Sequence, residues 1–518
     1  MDEATTTTYD FSLPNRQSPI AVFLIVQKLI QQLIRQFWPI LLIYILNNLD
    51  FQAKSNDSTI FDSYFTNVLF FIAGLSTIGS IISYFKFYYY VQDDEFVIEK
   101  GILQKKKINI PFDRIQTINF EQNLIHQAFN VVSLEVDSAG TVQKEIAIQA
   151  ISRERAEAIR TFIMREKAKR QVVDNEQDET TISAEITEPP AQTLMHLRPM
   201  DLLKIGVSQN HFQGLGIIFG FGFWIWQTLE DFLPDYRQGE NPMVYLERDL
   251  GLGSIISMWT YLIVLLILFS VLISLVMTVF RFFDMQFFRT SAGFKVVSGL
   301  FTKREQSANF NKIQLIRWED SILKRIFGIF RLHLFQASSA AVNIRQSINV
   351  PGCYQPQIDT VRATYFPDEK NYQYTTHGIS SKIIGRRVLY LGGIPALIIV
   401  LNGYLSESLI IGLLSIVWIG IIYATSLFVH RNWKFHIHEE GILTEHGILG
   451  TEFTLLKWYK IQAVKTRQSI YQRRHDLADL YFYTAAGTVK IPYVPLEKAR
   501  QITNFVLYRV ETDERSWM

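Results

Sequence analysis

Charge-free stretches and alternating stretches take turns along the chain. Residues 63–85, 205–229 and 250–280 hold 23, 25 and 31 consecutive positions without Asp, Glu, Lys or Arg. Residues 388–406 and 408–430 hold 19 and 23 more, separated only by Glu407. A helix needs about 20 apolar residues to cross a bilayer core, so each of these runs is long enough to span. A shorter run at 36–49 reaches that length if it extends back past Arg35, with the arginine head at the headgroups. The pattern predicts six transmembrane helices in three hairpins. An amphipathic lead-in precedes each hairpin, at 20–35, 194–207 and 379–388, and either lies at the interface or begins the span.

After each hairpin the period changes to two. In the first copy, residues 95–99 (EFVIE), 107–110 and 115–120 alternate apolar with polar, and 131–136 and 145–151 continue the pattern. Ser152 then caps a helix whose apolar positions are Ala156, Ile159, Phe162 and Ile163. The third copy ends in the same way, with a strand at 489–494 and a helix at 496–510. Each soluble unit reads as a small antiparallel β domain closed by one C-terminal helix. The fold class is therefore an α-helical membrane protein plus α+β.

The three units are copies of one another. The triplets Arg114-Ile115-Gln116, Lys312-Ile313-Gln314 and Lys460-Ile461-Gln462 have their isoleucines 14 residues after Gly101, Gly299 and Gly447. A leucine follows 19 residues past each isoleucine, at Leu134, Leu332 and Leu480, and an alanine five later, at Ala139, Ala337 and Ala485. No gap is needed anywhere in that frame, so one module has been used three times.

Hairpin, glycine, triplet, leucine and closing small-residue turn together resemble the bacterial pleckstrin-homology (PH) domain family. The tandem form resembles the larger, three-repeat protein of a paired set of bacterial membrane proteins. The third copy matches best, through Lys460-Ile461-Gln462 and the segment 479–487 (DLYFYTAAG). The second departs most, at Arg317-Trp318-Glu319-Asp320 and Pro351-Gly352-Cys353. The resemblance implies PH-like folds for the soluble units and a non-catalytic membrane-associated scaffold. It also implies a one-repeat membrane relative or self-association as partner, and a setting in envelope stress or resistance to membrane-active peptides. A transporter or export accessory is the alternative.

The expected layout is a tail at 1–16, lead-in and first hairpin at 17–90, and the first PH-like domain at 91–166. An acidic flexible linker follows at 167–193, then the second hairpin with its lead-in at 194–287 and a divergent second domain at 288–370. The third hairpin occupies 378–431 and the third domain 432–512. Of 51 Lys and Arg, only Lys54, Arg237 and Arg248 fall in the short connections within hairpins. That bias predicts a multi-pass protein of the bacterial inner membrane with both termini and all three domains cytoplasmic.

Composition adds mostly exclusions. A formal charge of +2 offers nothing to nucleic acid, and the single cysteine, Cys353, excludes an internal disulfide framework. The N-terminus is acidic and Thr-rich, without the basic-then-apolar order of a cleavable signal peptide. No nucleophile elbow, phosphate loop or zinc-protease motif is present, so no enzyme, cofactor or catalytic residue is expected. His436 and His438 have chelating spacing but no third ligand, and no metal is assigned to them. The basic residues Lys105, Lys106 and Lys107, with Arg473 and Arg474, are candidate contacts for lipid headgroups or a partner. The triplets are expected to pack the β core through isoleucine, or to touch a neighbouring repeat.

Overall fold

The computed structural model describes residues 10–28, 77–101, 104–138, 146–173, 192–209, 242–337, 347–367 and 373–515, with isolated positions 31, 71, 74 and 75. Its contacts divide the chain into two compact units. One comprises Met1–Pro189 with Phe301–Ser307, the other Pro190–Leu300 with Ala308–Met518.

In the first unit, β1 (Tyr88–Gln92), β2 (Glu95–Lys100) and β3 (Lys106–Pro111) form an antiparallel sheet. A single 3-10 turn, Phe112–Arg114, swings the chain into β4 (Ile115–Gln122), which pairs with β5 (Val131–Ser138), and β5 pairs with β6 (Ile146–Ser152). The closing helix Arg153–Val173 seals the core through Ala156, Ile159 and Ile163, all buried against Ile115, Leu134 and Ile148. This helix runs seven residues beyond the expected domain end at 166, so the start of the predicted linker is helical. The remainder of the linker, 174–191, lies outside the described residues. The expected tail also differs: Phe11 is buried and Asn15 bridges Tyr89, so 11–15 runs alongside β1.

The second unit repeats the plan with an added strand. β7 (Gln192–His196) pairs with β8 (Gln286–Arg289), which pairs with β9 (Gly293–Ser298). The lead-in expected at 194 is thus a strand first, and its helix covers only Pro199–Val207. β10 (Lys303–Asn309), whose residues up to Ser307 belong to the first unit, is followed by β11 (Ile313–Glu319), β12 (Phe330–Gln336), β13 (Ser347–Cys353) and the closing helix Gln355–Tyr365. The third module adds β14 (Thr375–Gly378), which pairs with β15 (Lys434–Ile437), then β16 (Gly441–His446) and β17 (Glu452–Lys457). β18 (Ile461–Arg467), β19 (Leu477–Thr484) and β20 (Gly487–Pro495) make a second sheet, closed by the helix Leu496–Thr512. In both of these modules a strand from before the apolar helices completes a sheet made after them. The apolar helices Pro242–Phe282, Lys382–Leu405 and Leu409–Asn432 therefore lie, in sequence, between paired strands of one sheet.

Among the described residues three helices are long and apolar enough to cross a membrane: Val264–Phe282, Lys382–Leu405 and Leu409–Asn432, with mean hydropathies of 2.5, 1.9 and 2.2. Their apolar side chains are exposed along most of their length, including Leu397, Leu409 and Ile410, a surface suited to lipid rather than water. The helix carrying the first of these begins at Pro242, so Arg248, expected in a connection, is helical. In the third hairpin the lead-in continues into the span through a π-helical segment, Val388–Gly393. Pro395, which has no N–H to donate, follows directly and accounts for the irregular turn. The predicted run at 36–49, residues 210–229 of the run at 205–229, and residues 63–70, 72, 73 and 76 of the run at 63–85 lie outside the described residues.

Candidate functional site at the seam between modules

The strand that follows the second triplet and the strand that precedes the third meet where the second module joins the third. β11 of the second module pairs antiparallel with β17 of the third, from Leu315 opposite Leu456 to Glu319 opposite Glu452. Both strands belong to one seven-stranded sheet, ordered β13-β12-β11-β17-β16-β15-β14. Side chains reinforce the backbone ladder. Trp318 stacks on Phe453 with centroids 5.2 Å apart, and Arg317 pairs with Glu452 at 3.0 Å. Asp320 accepts from the Thr451 amide, and Arg325 donates to Thr451 Oγ1.

Below the ladder, Lys460 Nζ donates to the carbonyl of Asn311, one residue before the second triplet, at 2.5 Å. Lys457 Nζ sits 4.6 Å from the Tyr365 ring centroid and 5.0 Å from that of Phe366, both at the end of the second closing helix. Burial, aided by the charge of Arg515, pushes Lys457 down to about 8. Burial and then the charges of Lys457 and Arg515 do the same to Lys460. The Tyr365 phenol, fully enclosed, is pushed well up and donates to the Gln314 carbonyl at 2.9 Å. Cations packed on rings and directed at carbonyls hold two modules together; nothing in this arrangement presents a nucleophile to a cleft.

A sequence model of a family described as "Bacterial PH domain" matches residues 39–167, 244–367 and 390–510, most of the chain. The protein belongs to the bacterial PH domain family. It is similar to the "UPF0699 transmembrane protein YdbT" of Bacillus subtilis (strain 168), 24% identical over 487 residues, covering 92% of this chain and 93% of that one. It is also similar to the shorter "UPF0699 transmembrane protein YdbS" of the same organism, 27% identical over 109 residues, 20% of this chain and 69% of the relative. No solved structure matches. This is a membrane protein built from three PH-like repeats.

Within this bacterial PH framework the triplet residues have different surroundings. Ile115, Ile313 and Ile461 are all buried in their own β cores. Lys312 and Lys460 are buried, whereas Arg114 is exposed. Gln314 is fully buried beside the seam, whereas Gln462 is exposed on β18. The side chain of Gln116 lies outside the described residues. Lys105, Lys106 and Lys107 fall on and beside β3; Lys105 pairs with Glu99 at 3.2 Å and Lys107 lies over the Tyr90 ring. Arg473 lines a groove of about 390 Å³ with Thr466, Gln468, Leu496, Arg500, Thr503 and Asn504. Arg474 caps the short helix Ile470–Arg473. Lys105 to Lys107 belong to the first unit and Arg473 and Arg474 to the second.

The histidine pair is engaged locally. His436 contacts Thr376 Oγ1 at 2.9 Å and lies 3.6 Å from Glu445. The buried His438 ring packs edge-on against Phe366 and Tyr374. Cys353 is buried, and burial pushes its thiol up, away from the reactive thiolate.

Two framework positions escaped the sequence reading. Asn130, Gly328 and Asp476 all have positive φ, each 29 residues after the repeat glycine. Asn123, Ser321 and Ser469, each 22 residues after it, cap the following short helix with a side-chain oxygen. Their identities vary because several small polar residues meet each requirement. A search for identical letters passes over them.

Proposed function

We propose that this protein is a non-catalytic scaffold of the bacterial inner membrane. In this reading, membrane-tethered PH-like modules join edge to edge on the cytoplasmic side and present a composite surface to a partner. One observation carries it: the repeated Lys-Ile-Gln element contributes to a seam, with Lys460 reaching Asn311 beside the buried Gln314. The partner is another module of the same kind, on a one-repeat relative or a second copy. Lys105, Lys106 and Lys107 add contact with anionic headgroups, each cation contributing about 1 kcal/mol near the surface. The setting that the family resemblance implies is envelope stress or resistance to membrane-active peptides.

Purification from native membranes in mild detergent, followed by native mass measurement, tests the assembly. The expected species contains this chain and at least one further bacterial PH subunit. A species holding a single unaccompanied chain overturns the reading.

A further inference from the structure

The seam between modules follows one rule: the strand after the triplet of one repeat takes the third strand of the next. In the second unit this is β11 with β17. In the first unit it is β4 with β10, where Gln122 and Glu121 lie opposite Lys303 and Arg304. There Arg304 pairs with Glu121 at 3.1 Å, and Arg160 of the closing helix reaches Glu305 at 2.7 Å. The incoming strand thus lies within reach of both a strand edge and a closing helix.

The third repeat has the same edge, and among the described residues no strand pairs with its outer side. β18 ends its sheet, ordered β18-β19-β20, and Gln462, Ala463, Lys465, Thr466 and Arg467 are exposed. Counted from the repeat glycine, Thr466 stands where Phe120 and Trp318 stand. Thr503 follows the buried Ala499 by four, as Arg160 follows Ala156 and Arg362 follows Ile358. Arg160 lies over Phe120 and Arg362 over Trp318, whereas Thr466 and Thr503 only meet hydroxyl to hydroxyl at 3.3 Å. Smaller side chains leave the open groove of about 390 Å³ between strand and helix, flanked by Arg473 and Arg500.

Charge selects the occupant. By the same count Lys465 stands where Arg317 binds Glu452, and Arg467 where Glu121 binds Arg304. Both positions are cationic here. A second copy of this chain, docking β3 in the register of β11 with β17, sets Lys106 opposite Arg467 and beside Lys465. Like charges directly opposite across strands are destabilising. A third strand carrying a carboxylate where Glu452 stands, opposite Arg467 and diagonal to Lys465, serves both cations.

We infer that the β18 edge is a docking site for the third strand of a separate one-repeat bacterial PH protein bearing Asp or Glu opposite Arg467 and within reach of Lys465. The inference rests on the scaffold reading and names its surface. Strand addition supplies affinity through the backbone, and the two cations supply selectivity against self-assembly.

The test uses the full chain in its native membranes with Ala463→Cys; the native Cys353 is buried and does not compete. A thiol-directed photo-crosslinker on residue 463 is activated and the joined peptides are sequenced. The expected product joins residue 463 to the third strand of a one-repeat family member with Asp or Glu in that strand. Adding Lys465→Glu and Arg467→Glu lowers its yield at least tenfold while the melting temperature is unchanged. Joining to residues 106–111 of a second copy overturns the inference, as does a yield insensitive to the charge reversal. If a one-repeat relative co-purifies but nothing joins at 463, this surface is wrong and the scaffold reading stands. If no bacterial PH subunit co-purifies, both fall. Binding of anionic vesicles that is lost on charge reversal, without a protein product, assigns the edge to lipid and also overturns it.

Discussion

Gly101, Gly299 and Gly447 recur because their backbone demands glycine. Their φ angles are +125°, +114° and +154°, a region L side chains rarely adopt. A Cβ at residue 447 falls 1.8 Å from the Gly450 carbonyl oxygen, and one at residue 101 falls 1.9 Å from that of Gln104. Gly328 is a useful contrast, with φ +64° and nothing within 4 Å of the place a methyl would occupy. Gly328→Ala therefore costs only the left-handed penalty, about 1–2 kcal/mol. Gly447→Ala adds a steric overlap with backbone and is expected to lower the melting temperature further, as thermal unfolding in detergent will measure. The glycine frame was legible because one residue type alone satisfies it. The state of the triplet glutamine was not: Gln314 and Gln462 carry the same letter, yet one is buried and the other exposed.

Among the elements, strands alternate as their period predicts, because a half-buried strand must show one face to the core. Which strand they pair with is another matter. β11 and β17 lie more than 130 residues apart, and no local pattern announces their ladder. The Trp318–Phe453 stack, with planes 9° apart, is the packing signature of that seam. Truncating either ring to Ala is expected to destabilise the chain. A double-mutant cycle should return a coupling of about 0.5–1.5 kcal/mol, the range for aromatic pairs. Additive losses would show that the two rings do not support one another. The lead-in strands β7 and β14 were missed for a similar reason. Each is only four or five residues long and its partner lies beyond the hairpin.

At the scale of the molecule, the proposed orientation makes a prediction that the buried Cys353 keeps free of background. Ser406→Cys, exposed in the link between the last two apolar helices, is expected to react with a membrane-impermeant maleimide added to spheroplasts. Glu514→Cys, near the end of the chain, is expected to react only after permeabilisation. The reverse pattern would invert the topology.

By itself the sequence determined the module, its threefold use, the apolar helices of the last hairpin and the repeat frame. Each follows from a local requirement: desolvation of a span, the alternation of a strand, or a left-handed turn. Tertiary structure alone decided that strands from before the apolar helices complete sheets made after them, and that the strand after one triplet joins the third strand of the next repeat. It also decided that, among the described residues, no strand pairs with the outer side of β18. Strand edges present the same N–H and C=O groups whatever their side chains, so pairing across modules depends on three-dimensional placement, with charge and shape selecting among the edges brought within reach.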